Sequence, residues 1–277
     1  PKARGLRVTL YPLVLMDIPA DNTLVDPATG TPGQPAYPWR GRITSDPAPG
    51  QAGSPDLSAA IDAQVTAFFG SAAPADFAIA GDAVICSRAE DWGYRRMVLH
   101  YAQLAALAGG VDAFIIGSEM KGLTILRRSP DQFPAVEALC ALVADTRAVL
   151  GPDTAITYAA DWSEYSGYQP PEAPEDKLFH LDPLWANADI DAIGIDNYLP
   201  ISDWRDKETH QDKAIAASPW DPGYLRGRIA SGEYFDWFYA SAADRAAQDR
   251  TPHEADASAQ PWLLLATDLA QRCRLAR

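Results

Sequence analysis

The run Val111-Asp112-Ala113-Phe114-Ile115-Ile116-Gly117-Ser118-Glu119 constrains this chain more than any other stretch. It is apolar, stops on Gly-Ser and then presents a carboxylate. A parallel strand covered on both faces reads as an unbroken apolar run, whereas a half-solvated antiparallel strand alternates. Helical patterns flank it. Residues 91–108 carry Tyr94, Met97, Val98, Tyr101, Leu104 and Ala108 at helical spacing and end on Gly109-Gly110. Residues 134–150 repeat the period with Val136, Leu139, Cys140, Val143 and Leu150, and Gly151-Pro152 stops them. A strand between helices is a βα unit, and such units build a parallel sheet. The prediction is an α/β fold in which residues just past the strands collect on one rim.

Further strands are predicted over 6–11, where Pro12 ends the ladder, and over 155–160, 190–195 and 261–265. Phe77-Ala78-Ile79 and Val84-Ile85-Cys86 around Gly81-Asp82 predict a hairpin. Ser54-Pro55-Asp56 has the form of a helix start, with Leu57, Ile61, Val65 and Phe68 as its apolar stripe. Ser241 and Asp244 stand at capping-box spacing. Pro19 through Pro55 includes eight prolines and five glycines without any period, the composition of a long loop insertion. Structureless connections of that length are commonly lids or binding loops. No repeat or linker divides the chain, so residues 1–277 read as one domain with an atypical end over 263–277. About five strands are visible where a closed (β/α)8 TIM barrel needs eight. The expected architecture is therefore an incomplete barrel, its first and last units missing.

The formal charge of −14 argues against a nucleic-acid partner and gives no attraction to anionic membranes. No apolar run reaches the ~20 residues of a membrane span. The first sixteen residues imitate a secretion signal but contain Pro12 and lack a small-x-small cleavage site. Three scattered cysteines and four histidines offer neither a disulfide framework nor metal-ligand spacing, so no metal and no cofactor is expected.

Four strand-like runs are each followed by an acid: Asp17, Glu119, Asp161 and Asp196. Parallel strands point one way, so these side chains should converge. Aromatics crowd the same loops, at Tyr37, Trp39, Trp162, Tyr165, Tyr168, Tyr198 and Trp204. Carboxylates beside aromatic platforms suit a sugar, and two carboxylates flanking a glycosidic bond hydrolyse it. Glu119, Asp161 and Asp196 are the catalytic candidates; Asp17, Trp39, Trp162, Asn197, Tyr198 and Trp204 are the substrate-binding ones. Plainer roles compete. Asp161 fits a helix N-cap equally well, Asp196-Asn197 fits turn chemistry, and Asp17 fits a structural position. Glu119 is a poor cap and fits none of these. Arg40 and Arg42 read first as solvated charges, with orienting the long loop or meeting acidic substrate groups as the alternatives. A weaker reading gives the acidic rim a divalent cation.

Several strings together resemble a known family. They are Arg7-Val-Thr-Leu-Tyr-Pro12, Gln34-Pro-Ala-Tyr-Pro-Trp-Arg-Gly-Arg42, Tyr94-Arg-Arg-Met-Val-Leu-His-Tyr101, Gly109 to Glu119, Tyr158-Ala-Ala-Asp-Trp-Ser-Glu-Tyr165, His180-Leu-Asp-Pro-Leu-Trp185 and Gly194-Ile-Asp-Asn-Tyr198. Over roughly residues 4 to 262 the chain resembles the glycoside-hydrolase TIM-barrel-like domain of gene transfer agents and related phage-tail (baseplate hub) proteins. The resemblance implies a TIM barrel, a polysaccharide or peptidoglycan substrate, other baseplate proteins as partners, and residence in a virion-like tail after synthesis in the cytoplasm. It also implies that Glu119 is the acid/base at the end of the fourth strand, with Tyr198 assisting. The pattern departs at three points: Ser118 stands where such barrels place Asn, no Thr-Glu-Leu-Gly-like segment supplies the nucleophile, and the likeness dissolves after residue 262. These departures favour an alternative, a non-catalytic glycan-binding or architectural tail module.

Overall fold

A computed structural model describes residues 2–198, 202–207, 209–229, 231 and 236–252. The chain divides into two compact units after Asp196, a boundary that no linker composition announces.

The first unit is built on a parallel sheet of β1 (Thr9–Leu10), β4 (Ala113–Ser118), β5 (Ala155–Asp161) and β6 (Gly194–Asp196), in the order β1-β4-β5-β6. Its helices are α1 (Ile61–Phe69), α2 (Tyr94–Leu107), α4 (Pro134–Leu150) and three single turns, α3 (Lys121–Thr124), α5 (Trp162–Tyr165) and α6 (Asp182–Trp185). A hairpin, β2 (Phe77–Ala80) with β3 (Ala83–Cys86), turns at Gly81 with φ +66°. One core cluster joins Phe114 and Ile116 of β4, Ile156, Tyr158 and Ala160 of β5, and the inner faces of α1, α2 and α4. Burial of this apolar surface, worth about 25 cal/mol per Å², is what holds sheet to helices.

The expected βα alternation is present, and α4 spans 134–150 as its periodicity predicts. Among the described residues the sheet has four strands and stays open. Consistent with that, only alternate residues of β4 and β5 are fully buried at their N-terminal ends: Ala113, Ile115 and Thr157 stay partly exposed. The apolar run thus marks a strand with one well-covered face. The outer strands are shorter than predicted, because Val8 and Asp191 meet their neighbours through loop contacts: Val8 O accepts from Asp112 and Ala113, and Asp191 donates to Ile156 O. Tyr101 is another difference. It is 40% exposed, since α2 buries Tyr94, Val98, Leu99, Ala102 and Ala105 instead.

The helix start at Ser54 does not form. Leu57 takes φ +61°, incompatible with a helix, and α1 begins only at Ile61. Asp56 instead accepts the Arg127 backbone N–H at 2.7 Å and its guanidinium at 3.1 Å. Residues 19–55 carry no helix or strand beyond one 3-10 turn at Arg40–Arg42 and an isolated bridge, Val25 to Pro32. They are nonetheless tied down: Arg42 pairs with Asp26 at 2.9 Å, and Gln64 of α1 makes two hydrogen bonds to the Asp46 backbone, at 2.7 and 2.8 Å.

The second unit comprises α7 (Pro222–Arg228), β7 (Trp237–Phe238), α8 (Ala242–Ala247) and β8 (Thr251–Pro252), with β7 and β8 antiparallel. Ser241 caps α8 by accepting the Asp244 N–H, as its spacing predicts. Among its described residues the most connected feature is an ionic knot. Arg250 pairs with Asp203 at 2.8 Å and with the fully buried Asp212 at 2.6 Å, while its guanidinium lies 4.4 Å over the Trp237 ring. The strand predicted at 261–265, the end at 263–277 and Cys273 lie outside the described residues. Among those described, no helix is long and apolar enough to cross a membrane.

Candidate functional site

Three elements deliver acids to one rim of the first unit. Glu119 directly follows β4, Asp161 ends β5, and Asp196 ends β6; Asp161 and Asp196 are register partners across the β5–β6 ladder. Parallel strand polarity alone puts them at the same edge, the carboxyl ends of the strands.

Glu119 is the most constrained of the three. Its φ is +51°, in the left-handed region, where a non-glycine residue costs on the order of 1–3 kcal/mol and persists only if its surroundings hold it. Its N–H extends the ladder by donating to Ala159 O at 2.9 Å. The side chain is almost wholly buried, and its Oε2 accepts two donors from the long loop: the Trp39 indole N–H at 2.7 Å and the Arg40 guanidinium at 2.9 Å. Oε1 is buried without a hydrogen-bond partner among the described residues. Arg40 Nε also donates to Ser118, to its carbonyl at 3.1 Å and its hydroxyl at 2.8 Å.

Asp196 shares that guanidinium, at 3.9 Å, and accepts the Tyr11 hydroxyl at 3.1 Å. Burial raises the Asp196 pKa above the ordinary carboxylate value; the Tyr11 bond opposes this, and the charge of the nearby Glu119 adds to it. Tyr11 is itself pushed up, chiefly by burial. The two carboxyls thus share one cation at the strand ends, and the charge of Glu119 opposes ionisation of Asp196.

The strap bearing Trp39 and Arg40 sits flush on the turn after Glu119 because glycines let it. A Cβ on Gly122 of α3 would stand 2.7 Å from the carbonyl oxygens of both Gly41 and Ile43, and a Cβ on Gly41 would enter the Trp39 ring.

Asp161 takes the capping role. Its Oδ1 accepts the Ser163 N–H at 2.9 Å and the Ser163 hydroxyl, and Glu164 closes the box by accepting the Asp161 N–H at 3.1 Å. Trp162, the first residue of α5, is half-buried beside it, and Asp17 lies exposed on the loop after β1. Asn197 and Tyr198 open the second unit, both exposed. Trp204 is spent on packing within that unit, edge-on to His210 at 4.6 Å and Tyr224 at 5.9 Å. Arg40 is not a solvated charge but meets the acids of the rim itself, and Arg42 orients the loop through Asp26, the alternative its sequence context allowed. Sequence pattern passes over Tyr11 as a site residue and gives Arg40 only a secondary claim. The available signals were an aromatic at the end of a strand on the acidic rim, and a tryptophan adjoining an arginine in the loop. Among the described residues no cluster of His, Cys, Asp and Glu is arranged to hold a metal ion.

Residues 92–274 match the GTA TIM-barrel-like domain. The chain belongs to that family. The matched stretch of this GTA TIM-barrel-like domain includes Glu119, Asp161 and Asp196 and runs past residue 262, beyond the point where the string-by-string likeness fades. Tyr11, Trp39 and Arg40 precede it, so the cover over Glu119 comes from outside the matched stretch. No curated protein matches the chain.

Proposed function

We propose that this GTA TIM-barrel-like domain is a glycoside hydrolase module of a phage-tail-like particle, a gene transfer agent baseplate protein that acts on cell-wall or surface polysaccharide. The observation that carries the reading is the Glu119–Asp196 pair, two carboxyls at the strand ends gathered by Arg40 and bordered by the half-exposed Trp39. A glycan reaching Glu119 must first displace the Trp39–Arg40 strap. Once that strap lifts, Oε2 loses both donors and Glu119 is free to exchange a proton with the leaving oxygen. Asp196, its pKa raised, is the nearest proton store from which Glu119 is recharged. Trp39 then offers its ring face to the sugar. Asp161 is left to its cap.

The test is reducing-end release from peptidoglycan by the full chain. Glu119→Gln lowers the rate about 10²–10⁴-fold, the usual contribution of an acid/base group. Equal rates would eliminate the role of Glu119. A second reading, a non-catalytic glycan-binding or architectural tail module, draws on the near-complete burial of Glu119 under the strap. Glycan binding without cleavage, unchanged by Glu119→Gln, selects it.

A further inference from the structure

A buried polar network lies directly beneath the turn that carries Glu119, and the Glu119–Asp196 pair does not use it. Tyr158 is fully buried on β5, and its hydroxyl accepts the Met120 N–H at 2.8 Å, from the residue after Glu119. The same hydroxyl donates to Glu164, 3.0 Å from Oε1 and 3.3 Å from Oε2. Glu164 is 1% exposed and also accepts the Thr124 hydroxyl at 2.6 Å and the Asp161 N–H. Thr124 in turn meets the buried His180 Nε2 at 3.3 Å.

We infer that Tyr158 and Glu164 are positioning residues for Glu119: the Glu164 carboxyl orients the Tyr158 hydroxyl, which holds the Met120 N–H and so sets the direction in which Glu119 leaves the strand. Its bearing on catalysis rests on the reading of Glu119 as the reactive carboxyl; the mechanical part does not. The left-handed turn needs an anchor on each side. On one side the Glu119 N–H is held by Ala159 O; on the other the Met120 N–H has Tyr158. A tyrosine hydroxyl has one proton and two lone pairs. Donating that proton to Glu164 leaves a lone pair aimed at Met120. Without the carboxyl the hydroxyl is free to rotate, and the turn loses its second anchor. A glutamine at 164 keeps a carbonyl acceptor for Tyr158 and Thr124, whereas a leucine keeps none.

The Trp39 indole N–H, bonded to Glu119, reports on the turn. In the full chain with ¹⁵N-labelled indoles, the resonance lost in Trp39→Phe identifies it. Tyr158→Phe and Glu164→Leu shift this resonance, Glu164→Gln restores it to its parent position, and the core control Leu142→Ala in α4 leaves it in place. An unmoved resonance in Tyr158→Phe overturns the inference. Should Tyr158→Phe not fold, amide exchange at Met120 in the unaltered chain decides: exchange as slow as at Ile116 in β4 supports the anchor, and exchange as fast as at an exposed loop amide refutes it. Absence of glycan cleavage by the unaltered chain, with these shifts intact, removes the hydrolase reading and leaves the positioning role standing.

Discussion

The network under Glu119 carries a pH signature whose sign and size follow from burial. Burial pushes the Glu164 pKa from an ordinary 4.5 up to about 7, against the hydrogen bonds from Thr124 and Tyr158. Burial pushes the neighbouring His180 down from 6.5 to about 4. For Glu164 the folded value is the raised one, so its contribution to stability is full below pH 4.5 and is lost as pH rises to about 7. For His180 the folded value is depressed, so its contribution is full above pH 6.5 and is lost as pH falls to about 4. Each displacement is worth roughly 3 kcal/mol at 1.36 kcal/mol per pH unit. Between pH 4.5 and 6.5 the two slopes oppose and the parent chain shows neither. Replacing Glu164 with glutamine exposes the His180 slope. Urea unfolding at fixed pH steps from 4 to 8 measures it, because groups common to both chains cancel in the difference. Stability of Glu164→Gln minus that of the parent should climb by roughly 3 kcal/mol from pH 4.5 to 7, whatever the glutamine costs by losing the Asp161 N–H. His180→Gln should give the mirror result, a difference that falls by a similar amount from pH 4 to 6.5. A pH-independent difference for Glu164→Gln would refute the argument, since it would mean that this carboxyl titrates alike in folded and unfolded chains.

Gly122→Ala places a methyl against the carbonyls of Gly41 and Ile43 and should lift the strap, speeding amide exchange over residues 39–43 while leaving β4 protected; unchanged exchange over 39–43 would show that the glycine contact does not seat the strap. Arg250→Ala strands the buried Asp212 and its neighbour Asp203 without their shared cation, and should destabilise the second unit by about 3–5 kcal/mol, read as faster proteolysis within residues 202–252 at neutral pH.

The elements legible in the sequence are those whose local signal and tertiary surroundings agree. Helix α4 has an apolar stripe, Pro134 at its first position and Gly151 at its end, and it forms over those residues. The hairpin turns on Gly81, and Ser241 caps α8, because turn and cap chemistry are settled within three or four residues. Signals fail where a distant partner outbids the local one. Ser54-Pro55-Asp56 is a sound helix start, yet Asp56 is claimed by Arg127, seventy-one residues away, and Leu57 is turned out of helical geometry. Asp161 had two readings of equal standing, and only the coordinates of Ser163 and Glu164 select the cap.

The long loop shows why the site was half visible. Its prolines and glycines correctly denied it regular structure, and from that alone it is a lid in search of something to cover. What it covers is decided by Gly41 and Gly122, which have no side chains and leave no mark in a hydropathy pattern. Their missing Cβ atoms allow two backbones to touch, and that contact delivers Trp39 and Arg40 to Glu119 across about eighty residues of sequence. An acid at the end of a buried strand announces itself by composition; the cation that answers it arrives by close approach, which only the fold records. A lone buried carboxylate on this rim would be untenable. Finding Glu119 buried therefore already implied a partner, one of the chain's 23 lysines and arginines, and only the close approach decides which of them it is.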